Sequence, residues 1–412
     1  MEPSIIGQRV RELRTSEPRM TQAELADHAG VSVGLVAQLE QGRKQTAKLP
    51  TLHKLAAALD VDVAALLARP PRINTDDDQE RGVLGIRQAI TALWDEAEPT
   101  DVDELRRQAR YAWACYWTNR FDALGGLLPG FIATARASAR DPGGAAPHAA
   151  LSDAYGVAGS MLVHLGHVDL AYLSMERAIA AAGHADDELR HAAITGWMSW
   201  LLLHQTGTAD PAGVAGVRGR RSPLAQARRL AVEQADRIEP KLGKAPPEHV
   251  SVWGRLLIDA AVAAARDGAG EEADDILRLA DAAATRLEGQ PSVRLDYQSP
   301  FGKPLVVMQQ VDVSVVTDRP GRALDLARRM PPDADLPLAS RARHYADVAY
   351  AHTSLGHDRA ATDTLLAVER MAPNWMRYQA YPKTTIRELL VRERRARTPG
   401  LRGLARRQGV AA

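Results

Sequence analysis

Apolar residues recur at intervals of three and four along most of the chain, the spacing that gathers them on one face of an α-helix. Ile6, Val10 and Leu13 form one such face, Leu25, Ala26 and Ala29 a second, Val36 and Leu39 a third, and Leu52, Leu55, Ala56 and Leu59 a fourth. Alternating β-branched runs, the mark of half-buried strands, are nearly missing, so the pattern predicts an all-α chain. The run Val306 to Val316, VVMQQVDVSVV, fits a strand or a buried helix, and its helical neighbours favour the helix. The periodicity fails at residues 69–81, RPPRINTDDDQER, which are too polar to bury enough surface to order themselves. This stretch is expected to link a domain at 1–68 to a second at 82–395. The last stretch, 396–412, rich in Arg and broken by Pro399, Gly400, Gly403 and Gly409, is expected to be a flexible basic tail.

Within 1–68, Thr21-Gln22-Ala23-Glu24 has the spacing of a capping box, and Gly30 stands where a helix must end in a left-handed residue. Val31 follows, and Ser32 can cap a second short helix. Two short helices joined by a glycine turn form a helix-turn-helix, and a helix over about 50–59, with Val61, Val63, Leu66 and Leu67, closes the bundle. Thr21 to Ala26, Gly30-Val31-Ser32, Leu39-Glu40-Gln41-Gly42 and the closing Leu52, Leu55-Ala56, Leu59 and Val61 resemble the Cro/C1-type (XRE) family of helix-turn-helix regulators. In such domains the second helix of the motif enters the major groove of duplex DNA. The resemblance therefore implies that Val33, Gly34, Ala37 and Gln38 face the bases. Gln38 is the one strong hydrogen-bonding reader, suited to adenine, while Val33 and Ala37 offer contacts to thymine methyls. Gly34 stands where a polar residue is common, so DNA shape is expected to share the readout. Gln22 and Ser32, at helix N-termini, are expected to position phosphates, and Arg9, Arg43, Lys44 and Lys48 to supply the salt-dependent attraction. One small motif buries too little surface to be selective, so a homodimer on a palindromic operator is expected.

From 105 to 373 a second pattern recurs. Tyr155, Gly159 and Leu162 precede a Gly166-His167 turn, followed by Val168, Ala171, Met175 and Ala178; Tyr345, Ala349, Gly356, Ala361, Leu365, Ala367 and Pro373 repeat the scheme. Small residues at 159, 171, 349 and 361 let paired helices approach closely. Weaker copies turn near Asn119, Gly207, Gly268 and Asp318, at intervals that depart from a ~34-residue period and imply longer helices or inserted loops such as 208–222. The region resembles the tetratricopeptide repeats, which stack helical hairpins into a solenoid with a concave face. The phase of that resemblance turns Trp113, Tyr116, Trp117, Asp153, His164, Trp197, Leu201, His204, Arg255, Met308, Asp312, Arg343 and Tyr350 toward the concave side. Aromatic residues backed by arginines suit a peptide or an amphipathic small molecule, although a tryptophan on a helix pair is more often core than ligand contact. The domain order resembles that of the peptide-sensing Rgg/PlcR-type regulators (the RRNPP group). The resemblance implies quorum-sensing-like control through a repeat domain that binds a signalling peptide and dimerises.

Composition narrows the choice. A lone Cys115 excludes a disulfide framework and any Cys-based zinc site. The opening residues lack the layout of a secretory signal, and no apolar run reaches the ~20 residues of a membrane span, so a cytoplasmic protein without a membrane partner is expected. Neither a phosphate-cradling glycine loop, nor HExxH, nor a GxSxG nucleophile turn occurs, and no enzyme, cofactor or metal is expected. The net charge of +1 says nothing about partners; basic and acidic residues balance over 1–68, so only the clustering of Arg43, Lys44 and Lys48 favours DNA. The expected function is a ligand-responsive, sequence-specific regulator of transcription. The alternative is an adaptor whose repeats hold a partner protein on DNA.

Overall fold

A computed structural model describes residues 5–15, 20–44, 47–59, 61, 66, 77–93, 97–140, 144–205, 223–331, 334–393 and 398–410. The expected turn at Gly207, the inserted loop 208–222, Val63 and Leu67 lie outside them. Among the described residues the chain is all-α apart from one two-stranded hairpin.

The N-terminal head comprises α1 (Ile5–Thr15), α2 (Gln22–Ala29), α3 (Val33–Glu40) and α4 (Leu49–Ala58). Its start and stop signals act as their chemistry requires. The Glu24 N–H donates to Thr21 Oγ1 at 3.2 Å and the Thr21 N–H to Glu24 Oε2 at 2.7 Å, completing the capping box. Gly30 ends α2 in the left-handed region at φ 59°, and Ser32 Oγ accepts from the Leu35 N–H at 3.2 Å to open α3. Ile6, Val10, Leu25, Val36, Leu39, Leu52 and Leu66 meet in one core. Gly7 lets α1 lie against the end of α3, since a Cβ there would sit 1.8 Å from the Leu39 carbonyl oxygen.

Beyond the head, α5 (Asp77–Thr91) begins inside the stretch expected to be linker. Helices then pair as hairpins: α6 (Val102–Trp117) with α7 (Phe121–Ser138), α8 (Ala145–His164) with α9 (Val168–Gly183), α10 (Glu188–Gln205) with α11 (Pro223–Arg237), and α12 (Pro247–Arg266) with α13 (Gly270–Arg286). Strands β1 (Arg294–Asp296) and β2 (Ser299–Phe301) intervene, antiparallel, before α14 (Lys303–Val316) pairs with α15 (Pro320–Ala327) and α16 (Leu338–Ser354) with α17 (Asp358–Met371). The run 306–316 is thus helix. Five of the expected turns, Asn119, Gly166, Gly268, Asp318 and Gly356, hold their pivot residue in the left-handed region. At Gly159 a Cβ would lie 3.2 Å from the Ala171 carbonyl oxygen, so the small residue admits the partner helix.

Helices α18 (Pro373–Tyr378) and α19 (Ala380–Val391) follow, and α20 (Leu401–Arg407) corrects the expectation of a flexible tail over 396–412. Leu401, Leu404, Ala405 and Val410 are buried in a cluster with Leu365, Val368, Ile386 and Leu389. Arg407 grips Glu369 through two bonds, at 3.0 and 2.6 Å. The short apolar face is hidden in the sequence by the arginines around it. Among the described residues no helix is long and apolar enough to cross a membrane.

Candidate nucleic-acid interface and an aromatic cavity

Helix α3 is clamped from beneath and open above. Val36 and Leu39 are buried, whereas Ser32, Val33, Gly34 and Gln38 are exposed, Val33 to 47%. Ala37 lies between these extremes. The Gln38 side chain makes no hydrogen bond to another described residue, so both its donor and its acceptor are open to a ligand. Arg43 and Lys44 are exposed just beyond the helix.

The other expected contacts are more constrained. Gln22 Nε2 donates to Glu40 Oε2 at 2.8 Å, so one of its amide N–H groups is engaged inside the head. Glu40 also accepts from Arg14 Nε at 2.7 Å and Nη2 at 2.8 Å. Burial alone would raise the Glu40 carboxyl, but the bonds from Arg14 and Gln22 outweigh it and hold the group below the usual carboxylate range. This Arg14–Glu40–Gln22 knot joins α1, α2 and α3 and fixes the angle of the exposed helix. Arg14 and Glu40 stand far apart along the chain, so no local pattern marks the pairing. Arg9 pairs with Glu12 at 2.8 Å. Lys48 sits at the junction with the helical body, near enough to Glu388 to stabilise its charged form.

The head is not tethered by a linker alone. Leu49, 1% exposed, packs into a cluster with Val311, Val315, Ala323, Leu326, Tyr350 and Ala351 of the body. Its N–H donates to the Tyr350 hydroxyl. Helix α4 has no side-chain cap of its own at Lys48, so a tyrosine from the other domain satisfies one of its free N–H groups.

The thirteen residues expected on the concave face divide three ways. Tyr116, Trp117, His164, Trp197, His204, Arg255, Met308, Asp312 and Arg343 line a single cavity of about 210 Å³. Trp113 and Asp153 line a neighbouring one of about 670 Å³. Leu201 and Tyr350 are buried and reach neither. The first helix of each hairpin from α6 to α16 contributes to the first cavity, which Trp200 of the GWMSW run also lines, together with Asp259, Arg266 and Asp347, three residues outside the expected set. A signal existed for two of these: Arg255, Asp259, Val262 and Arg266 follow one another at helical spacing on α12.

The aromatic wall is part core and part lining. Trp113 and Trp197 are 2% and 7% exposed, with ring centroids 5.6 Å apart, and Trp197 meets Trp200 edge to face at 5.3 Å. The Trp113 indole N–H donates to Asp153 Oδ1 at 3.2 Å, and Arg190 pairs with Asp153 at 3.0 Å. Arg255 chelates Asp259 with bonds of 2.8 and 3.1 Å, and Arg343 spans Asp312 at 2.6 Å and Asp347 at 3.1 Å while lying 4.8 Å over the Tyr381 ring. Crowding by the wall lowers His164 and His204, although both residues keep an exposed edge, and Arg266 lowers His204 further. Burial pushes the Asp347 carboxyl up to about 7 despite Arg343. Among the described residues no cluster of His, Cys, Asp and Glu could hold a metal ion.

Comparison with known proteins bears on the head. A relative from Bacillus subtilis strain 168, named an uncharacterized HTH-type transcriptional regulator (RghRB), is 29% identical over 102 residues, which make up 25% of this chain and 73% of that protein. The helix-turn-helix domain family matches residues 5–69. With the capped α2, the Gly30 turn and the exposed α3, residues 5–69 are a helix-turn-helix domain.

Proposed function

We propose that the protein is a sequence-specific DNA-binding regulator of transcription, acting as a homodimer on a palindromic operator, whose helical body senses an effector. The observation that carries this reading is α3: its apolar side is locked into the head core and its outer side is open over Val33, Gly34 and Gln38. The family match and the relative's name support the same reading. In this scheme Gln38 reads an adenine edge, and Val33 and Ala37 touch thymine methyls, with Gly34 allowing close approach. The N-termini of α2 and α3, at Gln22 and Ser32, meet phosphates through backbone N–H groups, with Arg9, Arg43, Lys44 and Lys48 adding charge.

The effector reading rests on the connection between cavity and head. Helices α14 and α16 line the cavity with Asp312 and Arg343, and the same two helices receive the head with Val311, Val315 and Tyr350. Tyr381 lies between, beneath Arg343 and 6.0 Å from the Tyr350 ring. An occupant that binds one arrangement of these helices better than another shifts the position of the head.

A gel shift over the protein's own upstream region tests the DNA reading. Gln38→Ala is expected to cost about 1–3 kcal/mol on the cognate site and to relax one base position. Lys44→Ala is expected to weaken all sequences alike and flatten the salt slope. If the two substitutions behave identically, or no fragment gives a specific complex, the assignment is wrong.

A further inference from the structure

The cavity walled by α6, α8, α10, α12, α14 and α16 is lined by three arginines and three aspartates, but they are unevenly paired. Arg255 is engaged by Asp259, and Arg343 by Asp312 and Asp347. The remaining cation, Arg266, has no carboxylate within 4.0 Å among the described residues. It reaches only the Leu203 carbonyl, at 3.5 Å, and its Nε is buried without an acceptor. A guanidinium in this position is costly unless something anionic completes it. Trp117, Trp197 and Trp200 line the same cavity, and their faces suit a flat apolar body.

Two further observations limit the occupant. Arg266 is the one arginine of the three without an ion pair among the described residues, and Asp259, Asp312 and Asp347 share its wall, which favours a singly charged carboxylate over a phosphate. The β1–β2 hairpin also divides the concave face. It gives Pro300 to this cavity and Tyr297 and Gln298 to the neighbouring one, and Gln298 Oε1 accepts from the Trp117 indole N–H at 3.2 Å. An extended peptide running along the groove meets this partition, and the space of about 210 Å³ is below the ~300–1,000 Å³ of ordinary ligand pockets.

We infer that the cavity binds a small organic carboxylate with a flat apolar body, its charge on Arg266 and its ring against the tryptophans. This deepens the effector reading given above and rests on it only for the consequence at DNA.

The test titrates the full-length protein with phenylacetate and indole-3-acetate, and with the matching neutral amides, by calorimetry and tryptophan fluorescence. Saturable binding of at least one acid is expected, tighter than its amide by about tenfold to a hundredfold, the loss that follows removal of a charge-assisted bond. Arg266→Met should erase that preference and Arg266→Lys should keep it. If Arg266→Met does not fold, as judged by helical circular dichroism, the acid–amide comparison in the unsubstituted protein decides alone. Equal binding of acid and amide, no saturable binding by any of the four, or a preference that survives Arg266→Met overturns the inference. Operator affinity measured alongside separates the two claims. An acid that binds without altering DNA affinity leaves the site standing and removes this compound class as effector. A neutral compound or a peptide that alters DNA affinity while the acids fail to bind does the reverse.

Discussion

Tyr350→Phe isolates the bond that joins the head to the body. The substitution keeps the ring, so the apolar cluster of Leu49, Val311, Val315, Leu326 and Ala351 is preserved, and it removes only the hydroxyl that accepts from the Leu49 N–H. In the docked arrangement that N–H is then buried without a partner, because Lys48 provides no cap. A buried donor left unsatisfied costs about 1–3 kcal/mol. In an undocked head the same N–H is free to meet water, so the cost falls on the docked form alone. The ratio of docked to undocked molecules should drop by about 5- to 150-fold. Residue-resolved hydrogen exchange reads this directly: exchange at the first turn of α4, at Leu49, Thr51 and Leu52, should accelerate within that range, while the α8–α9 core is unchanged. Two outcomes refute the reasoning. Unchanged exchange at Leu49, Thr51 and Leu52 means that the bond does not hold the head, and a uniform rise across 5–58 means that the head unfolds instead of undocking.

Three other perturbations address the remaining parts of the structure. Glu40→Ala leaves Arg14, whose side chain is 12% exposed, without its counter-charge, at a cost of about 3–5 kcal/mol; exchange protection across 5–58 in the full-length protein should fall, and Glu40→Leu with Arg14→Met should restore much of it. His344 is 3% exposed, its Nδ1 has no partner among the described residues, and burial pushes its value down to about 4 from an unfolded value near 6.5. The unfolded chain therefore takes up a proton first, and on the order of 3 kcal/mol of stability present above pH 6.5 is lost between 6.5 and 4. His344→Leu should flatten the urea midpoint in that window; parallel curves for the two proteins would exclude a buried neutral imidazole. Gly254→Ala places a Cβ 2.1 Å from the buried Phe301 ring, so the hairpin must shift, and a loss of about 1–3 kcal/mol in thermal unfolding is expected.

What the sequence made legible was local. The capping box at Thr21–Glu24, the Gly30 turn and the left-handed residues at 119, 166, 268, 318 and 356 depend on neighbours a few positions away, so residue type alone reveals them. Helical phase is likewise set locally, and nine of the thirteen residues it turns to one side line a single cavity. What remained hidden depends on distant partners. Leu49 and Tyr350 lie 301 residues apart, and nothing near either one marks the pairing. Arg14 and Glu40 look like ordinary surface charges until α1 folds across α3. The apolar face of α20 becomes visible only with Leu365 and Ile386 beneath it.

The β1–β2 hairpin shows why a turn can escape detection and still matter. Two-residue hairpin turns with both central residues at positive φ normally announce themselves by Gly, Asn or Asp. Here Tyr297 and Gln298 adopt φ of 50° and 59° with neither advantage, a conformation that costs of order 1–3 kcal/mol at each residue. The compensation comes from side chains that a glycine lacks. The Tyr297 ring lies under Arg190 at 5.6 Å, Gln298 holds Trp117, and Phe301 fills the space that Gly254 leaves open. The strain is sustained by contacts on three different helices, so the turn is an outcome of the tertiary structure and could not have been read from its own residues. Those same contacts fix the hairpin between the two cavities, so the partition that favours a compact ligand is anchored to α6, α10 and α12, and two of these helices carry tryptophans of the cavity wall.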